Sequence, residues 1–140
     1  MIFWDVNLWV HAFRKDSPFH KKAKQELEIA LHEGSQFLFS PYASASFLRL
    51  VTNPKIFVQP SRYEEAWEFI DFLANHPLAY FGDVDRISFG IFKHICLVNE
   101  LAGNEVPDAV FAALAIRYDS VFVTADRGFS VYKGLRLKLI

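Results

Sequence analysis

Three aspartates occupy the places in this chain where a carboxylate could do chemistry. Asp5 ends the apolar run Ile2-Phe3-Trp4, Asp126 follows Val121-Phe122-Val123-Thr124 after one alanine, and Asp108 follows Pro107 before a helical segment. Taken singly, each has an ordinary role: Asp5 and Asp126 as helix caps, Asp108 as a negative charge in the positive first turn of a helix. Taken together, acids at strand ends and helix starts along one edge of a sheet would converge, and crowded carboxylates repel unless a cation neutralises them. Hard oxygen donors with few histidines nearby suit Mg²⁺ or Mn²⁺ rather than zinc. His11, His20, His32, His76 and His94 share no ligand spacing and read as surface or packing residues.

Strands and helices must place those acids. Ile2-Phe3-Trp4 reads as a strand that turns at Asp5 into a helix carrying Val6, Leu8, Trp9, Val10, Ala12 and Phe13. From Pro18 to about Glu33, Ala23, Leu27, Ala30 and Leu31 form one apolar face, with Pro18 just inside the helix and Gly34 just past it. Phe37-Leu38-Phe39 is a second strand, and Ser40-Pro41 opens a helix that ends at Thr52-Asn53-Pro54. A further helix covers about Ser61 to Asn75, and Ala79-Tyr80-Phe81 reads as a minor strand. Asp83 or Asp85 caps the helix that follows to about Leu101, and Gly103 to Pro107 reads as a loop leading to a helix near Asp108. Val121 to Thr124 is the clearest strand, and Leu135 to Ile140 alternates as an edge strand would. This alternation predicts an α/β fold, a three-layer α/β/α arrangement with a mostly parallel central sheet and right-handed crossovers, in one domain over residues 1–140. Ligands of such sheets collect at the carboxyl ends of the strands, where Asp5 and Asp126 fall.

Composition narrows the function classes. The only cysteine, Cys96, sits in an apolar run, so no disulfide framework or thiolate zinc site is available, and a reducing cytoplasm fits. No segment is apolar for long enough to span a membrane, and Asp5 interrupts the apolar start too early for a signal peptide. A formal net charge of −1 removes the electrostatic footprint of a protein that grips long duplexes. Fifteen phenylalanines are more than a core of this size readily hides, which predicts an apolar interface and at least a homodimer. Trp4, Trp9 and Trp67 read as core or interface residues, with stacking on an unpaired base as the functional alternative.

Four segments resemble the PIN-domain ribonucleases, in particular the VapC toxins of bacterial toxin-antitoxin pairs: Asp5-Val6-Asn7-Leu8-Trp9-Val10, Phe47-Leu48-Arg49-Leu50-Val51-Thr52-Asn53-Pro54, Val106-Pro107-Asp108-Ala109 and Val123-Thr124-Ala125-Asp126-Arg127-Gly128-Phe129. The resemblance spans the chain. It implies a metal-dependent endoribonuclease in which Asp5, Asp108 and Asp126 hold the ions, Asn7 and Thr124 support them, and a cognate antitoxin blocks the site. One position departs from the pattern. Counted back from Arg49, the place where such proteins carry an acidic ligand holds Ser44, and no acid lies between Gly34 and Gln59. Glu105, Asp83 and Asp85 are candidate substitutes, and none of them occupies the matching place. Arg49 and Asn53 could donate to RNA phosphates, although Asn53 could equally serve the helix end. The cluster of Arg14, Lys15, His20, Lys21 and Lys22 reads as a solvated helix entrance that could also guide RNA. The expected reaction is hydrolysis of RNA phosphodiesters by metal-activated water. The alternatives are a PIN fold that binds RNA or protein without cutting, favoured by Ser44, and a receiver-type α/β domain, disfavoured by the want of a lysine after a late strand.

Overall fold

The computed structural model describes all residues 1–140. Its sheet is built from Ile2–Trp4 (β1), Phe37–Phe39 (β2), Ala79–Phe81 (β3), Val121–Thr124 (β4) and Arg136–Leu139 (β5). The order is β3-β2-β1-β4-β5, and every pairing is parallel. The sheet is thus wholly rather than mostly parallel, with β5 at the edge as its alternating sequence requires. Strand order reverses between β1 and β4, so a crevice opens where their carboxyl ends diverge.

Six helices cover the sheet: Val6–Phe13 (α1), His20–His32 (α2), Pro41–Val51 (α3), Tyr63–Ala74 (α4), Arg86–Asn99 (α5) and Glu105–Arg117 (α6). One set is formed by α1 to α4, with α1 against α2 and α3, and α3 against α4; the other is the pair α5 and α6. Their starts follow from local chemistry. Asp5 accepts the backbone N–H of Asn7, Ser40 caps α3 ahead of Pro41, and Asp85 and Ser88 form a reciprocal capping box on α5. A short 3₁₀ helix, Arg127–Val131, follows β4, and Asp126 caps it.

Two boundaries differ from the sequence reading. Pro18 lies outside α2, because Ser17 closes a turn by accepting the N–H groups of Phe19 and His20. Helix α6 begins at Glu105 instead of near Asp108, so Glu105 to Pro107 is its first turn rather than a loop. A proline fits there because first-turn N–H groups have no intrahelical partner. Behind that turn, Phe111 to Ala115 are all buried, as expected of a helix enclosed on every side.

Thirty apolar residues form one core cluster. Phe3 packs on Phe111 and Phe122, and Trp9 packs on Phe39, Phe47 and Phe69, so aromatic rings lock β1 and α1 to both neighbouring strands. Trp4 and Trp9 are core residues, whereas Trp67 is partly exposed.

Candidate metal centre at the switch point of the sheet

Asp5 sits where β1 gives way to α1 and is only 2% exposed. Its Oδ1 accepts the Asn7 N–H at 3.2 Å, and its Oδ2 accepts the Thr124 hydroxyl at 2.5 Å. Thr124 Oγ1 in turn accepts the backbone N–H of Asp126 at 3.0 Å. One hydroxyl therefore links the ends of β1 and β4. Asp126 is exposed, and its Oδ1 accepts the Gly128 N–H at 2.7 Å. The cap roles read from the sequence for Asp5 and Asp126 are thus present alongside their placement at the crevice.

Asp108 is the fourth residue of α6, half-buried, and its carboxylate takes part in no hydrogen bond of the fold. Burial, followed by the charges of Asp5, Asp126 and Glu105, pushes its carboxyl up to about 6. Burial also pushes Asp5 up, against the pull of its hydrogen bonds from Thr124 and Asn7, and Asp126 adds to the rise. The three aspartates therefore feel one another, and Glu105 joins them. They do not form a closed cage: no three carboxylate, imidazole or thiolate groups stand close enough to grip one ion together. The donor set still fits a hard divalent cation in kind, being all oxygen, mutually repelling and open to solvent on the Asp126 side.

The other residues singled out in the sequence divide. Thr124 supports Asp5 through its hydroxyl, whereas Asn7 does so through its backbone, leaving its side chain exposed at the crevice. Ser44 is not brought to the aspartates. It is buried, its hydroxyl donates to the Ser40 carbonyl at 3.3 Å, and it lines an apolar cleft with Phe39, Trp67 and Ile70. The side of α3 turned toward the carboxylates carries Tyr42, whose ring centroid lies 5.2 Å from that of Phe111 on α6 and whose hydroxyl feels Asp108. Ser46 follows one turn later on that side, nearly opposite Ser44 around the helix. Arg49 is exposed and lies close enough to the Tyr42 hydroxyl to influence it. Asn53 serves the chain locally, its Oδ1 accepting the Lys55 N–H at 2.9 Å.

Of the proposed substitutes, Asp83 bonds the Val84 N–H, and Asp85 caps α5 and pairs with Arg117 at 2.9 Å. Only Glu105 reaches the cluster. Sequence reading gave no signal for Tyr132, a buried ring whose hydroxyl is influenced by Asp108, Glu105 and Asp126; burial is the main cause that keeps it protonated to higher pH.

Comparison with known proteins places the fold. The profile described as the PIN domain matches residues 2–135. Ribonuclease VapC48 of Mycobacterium tuberculosis is 31% identical over 138 residues, covering 96% of this chain and 94% of that protein. VapC ribonuclease Mb2897 of Mycobacterium bovis is 29% identical over 136 residues, covering 97% and 92%. VapBC2 from Rickettsia felis, solved bound to a DNA fragment from its promoter, has the same fold, with a TM-score of 0.74, 18% identity, and 99% and 98% of the two chains covered. The chain belongs to the PIN-domain family, in its VapC ribonuclease branch. No helix is long and apolar enough to cross a membrane.

Proposed function

We infer that this chain is a divalent-metal-dependent endoribonuclease of the cytoplasm, the toxin of a pair whose antitoxin blocks it. The observation that carries the reading is geometric: Thr124 joins Asp5 and the Asp126 backbone at the switch point, and the half-buried Asp108 carboxylate, which has no hydrogen-bond partner, feels both acids, a crowding of carboxylates that calls for a cation. Asp5, Asp108 and Asp126 would hold Mg²⁺ or Mn²⁺. Bound there, the ion would supply acidified water and neutralise charge growing on the phosphoryl oxygens. Thr124 and the Asn7 N–H keep the Asp5 oxygens oriented, so that this ligand does not have to be ordered anew when substrate arrives. Asp126, exposed at the mouth, orients the attacking water, and Arg49 meets a phosphate of the strand.

The antitoxin is assigned to the apolar cleft between α2 and α4, about 350 Å³ in volume and lined by Phe13, Leu27, Leu31, Phe69 and Phe72. Two copies of the chain would meet through the exposed apolar residues at the start of α5, Val84, Ile87 and Phe89.

A second reading, a PIN fold that binds RNA or protein without cutting it, is favoured by one observation: α3 offers serines and no carboxylate. Incubating the purified chain with structured RNA and Mn²⁺ separates the two. Cleavage that stops with EDTA and with Asp126→Asn supports the nuclease, cleavage that survives EDTA excludes metal-activated water, and binding without cleavage favours the second reading.

A further inference from the structure

We propose that Phe19, with His11 behind it and Lys22 beside it, is a stacking platform for one unpaired base of a single-stranded RNA threaded past Asp126, an inference that rests on the RNA-directed reading above. Phe19 is 52% exposed, yet its surroundings hold it in place. Its ring centroid lies 5.3 Å from that of His11, at 52° between planes. His11 Nδ1 and the Ser17 hydroxyl are joined at 2.7 Å, the same hydroxyl accepts the Phe19 N–H at 3.2 Å, and His20 Nδ1 donates to the His11 carbonyl at 3.0 Å. Burial lowers the His11 pKa, so a neutral ring packs obliquely against Phe19 near neutral pH. An aromatic already pinned in the open has little rotamer freedom left to lose when a base settles on it.

Position and charge choose the occupant. Phe19, His11 and Lys22 share a shallow dent with Leu8 and Ala125, and Ala125 is the residue before Asp126. The dent therefore borders the crevice. Lys21 and Lys22 are exposed and enter no ion pair of the fold, and Arg127, next to Asp126, is likewise exposed and unpaired. Free cations beside an exposed ring and next to Asp126 suit a chain of phosphates carrying flat apolar bases. A duplex would not serve, because its bases are already stacked on one another.

The test is an equilibrium titration of the whole chain, in EDTA so that nothing is cut, with a short single-stranded RNA carrying 2-aminopurine. The parent should bind and quench the fluorescent base. Phe19→Ala should weaken binding roughly tenfold and abolish the quenching. Phe19→Trp should keep both, and Lys22→Ala should weaken binding while lowering its salt dependence by about one phosphate's worth. Phe19 is exposed, so equal melting temperatures will show that the variants fold. The proposal is overturned if Phe19→Ala binds like the parent, as it would were this face a protein contact, if an abasic strand binds as tightly, or if the parent binds no RNA. Its failure is separable from that of the nuclease reading: Mn²⁺-dependent cleavage unaffected by Phe19→Ala removes only the platform, and Phe19-dependent binding without cleavage removes only the nuclease.

Discussion

The Thr124 hydroxyl donates to Asp5 Oδ2 across 2.5 Å, joining residues 119 positions apart, and it is the only side chain that gives a hydrogen bond to this buried carboxylate. Replacing Thr124 with the isosteric valine leaves a buried oxygen without a donor, which costs about 1–3 kcal/mol. Thr124→Val should therefore lower the urea midpoint and weaken Mn²⁺ binding, and Thr124→Ser should restore most of both. Unchanged denaturation and metal titration curves for Thr124→Val would mean that the bond is incidental.

Asp108 governs a second measurable property. Folding raises its pKa from the ordinary 3.8 to about 6, so between those values the folded chain binds more protons than the unfolded one. Stability of the metal-free protein should fall as pH rises through that window and then level off. Asp108→Asn removes the titration, so its melting temperature should vary less between about pH 4 and 6 and exceed the parent's at neutral pH. Mn²⁺ has to displace the same proton, and calorimetry should show weaker binding to the parent below about pH 6 than above it.

The absence of an acid on α3 is open to direct repair. Ser46 is on the side of α3 that carries Tyr42 and faces Asp108, whereas Ser44 faces α4. Ser46→Glu should tighten Mn²⁺ binding about tenfold by adding a formal charge near the cluster. Ser44→Glu should instead destabilise the fold by burying a charge among Phe39, Trp67 and Ile70. Titration calorimetry on both variants decides between the two positions, and a gain confined to Ser44→Glu would return the ligand place to residue 44.

Light scattering at high micromolar concentration should give a homodimer for the parent and a monomer for Phe89→Glu, whose exposed position tolerates the change without unfolding. A parent that is already monomeric would leave the α5 face to another partner.

Much of this arrangement was legible in the chain. Asp5 and Asp126 could be placed at strand ends because short apolar runs stop at them, and a parallel sheet carries its strand ends to a common edge. Pro107 points to Asp108, yet the helix starts earlier than that proline suggests, because it occupies the first turn instead of preceding it. The rotational phase of α3 was not legible. Ala43, Phe47 and Val51 mark its core side, but Ser44 and Ser46 flank that side, and only the packing of α4 and α6 tells which one meets the carboxylates. Tyr132 is not legible for a similar reason, since nothing local relates a ring after the 3₁₀ helix to acids on α6.

The parallel pairing of β1 with β4 also sets the order in which the carboxylate centre can assemble during synthesis. Asp5 is synthesised 119 residues before the hydroxyl that orients it, and the carboxylate of Asp126 comes later still. A nascent chain that has not reached Thr124 has β1 without its neighbour and a lone aspartate in place of a centre. The centre is thus complete only once β4 has been made, by which time α2 and α4, which border the cleft proposed for the antitoxin, have already emerged.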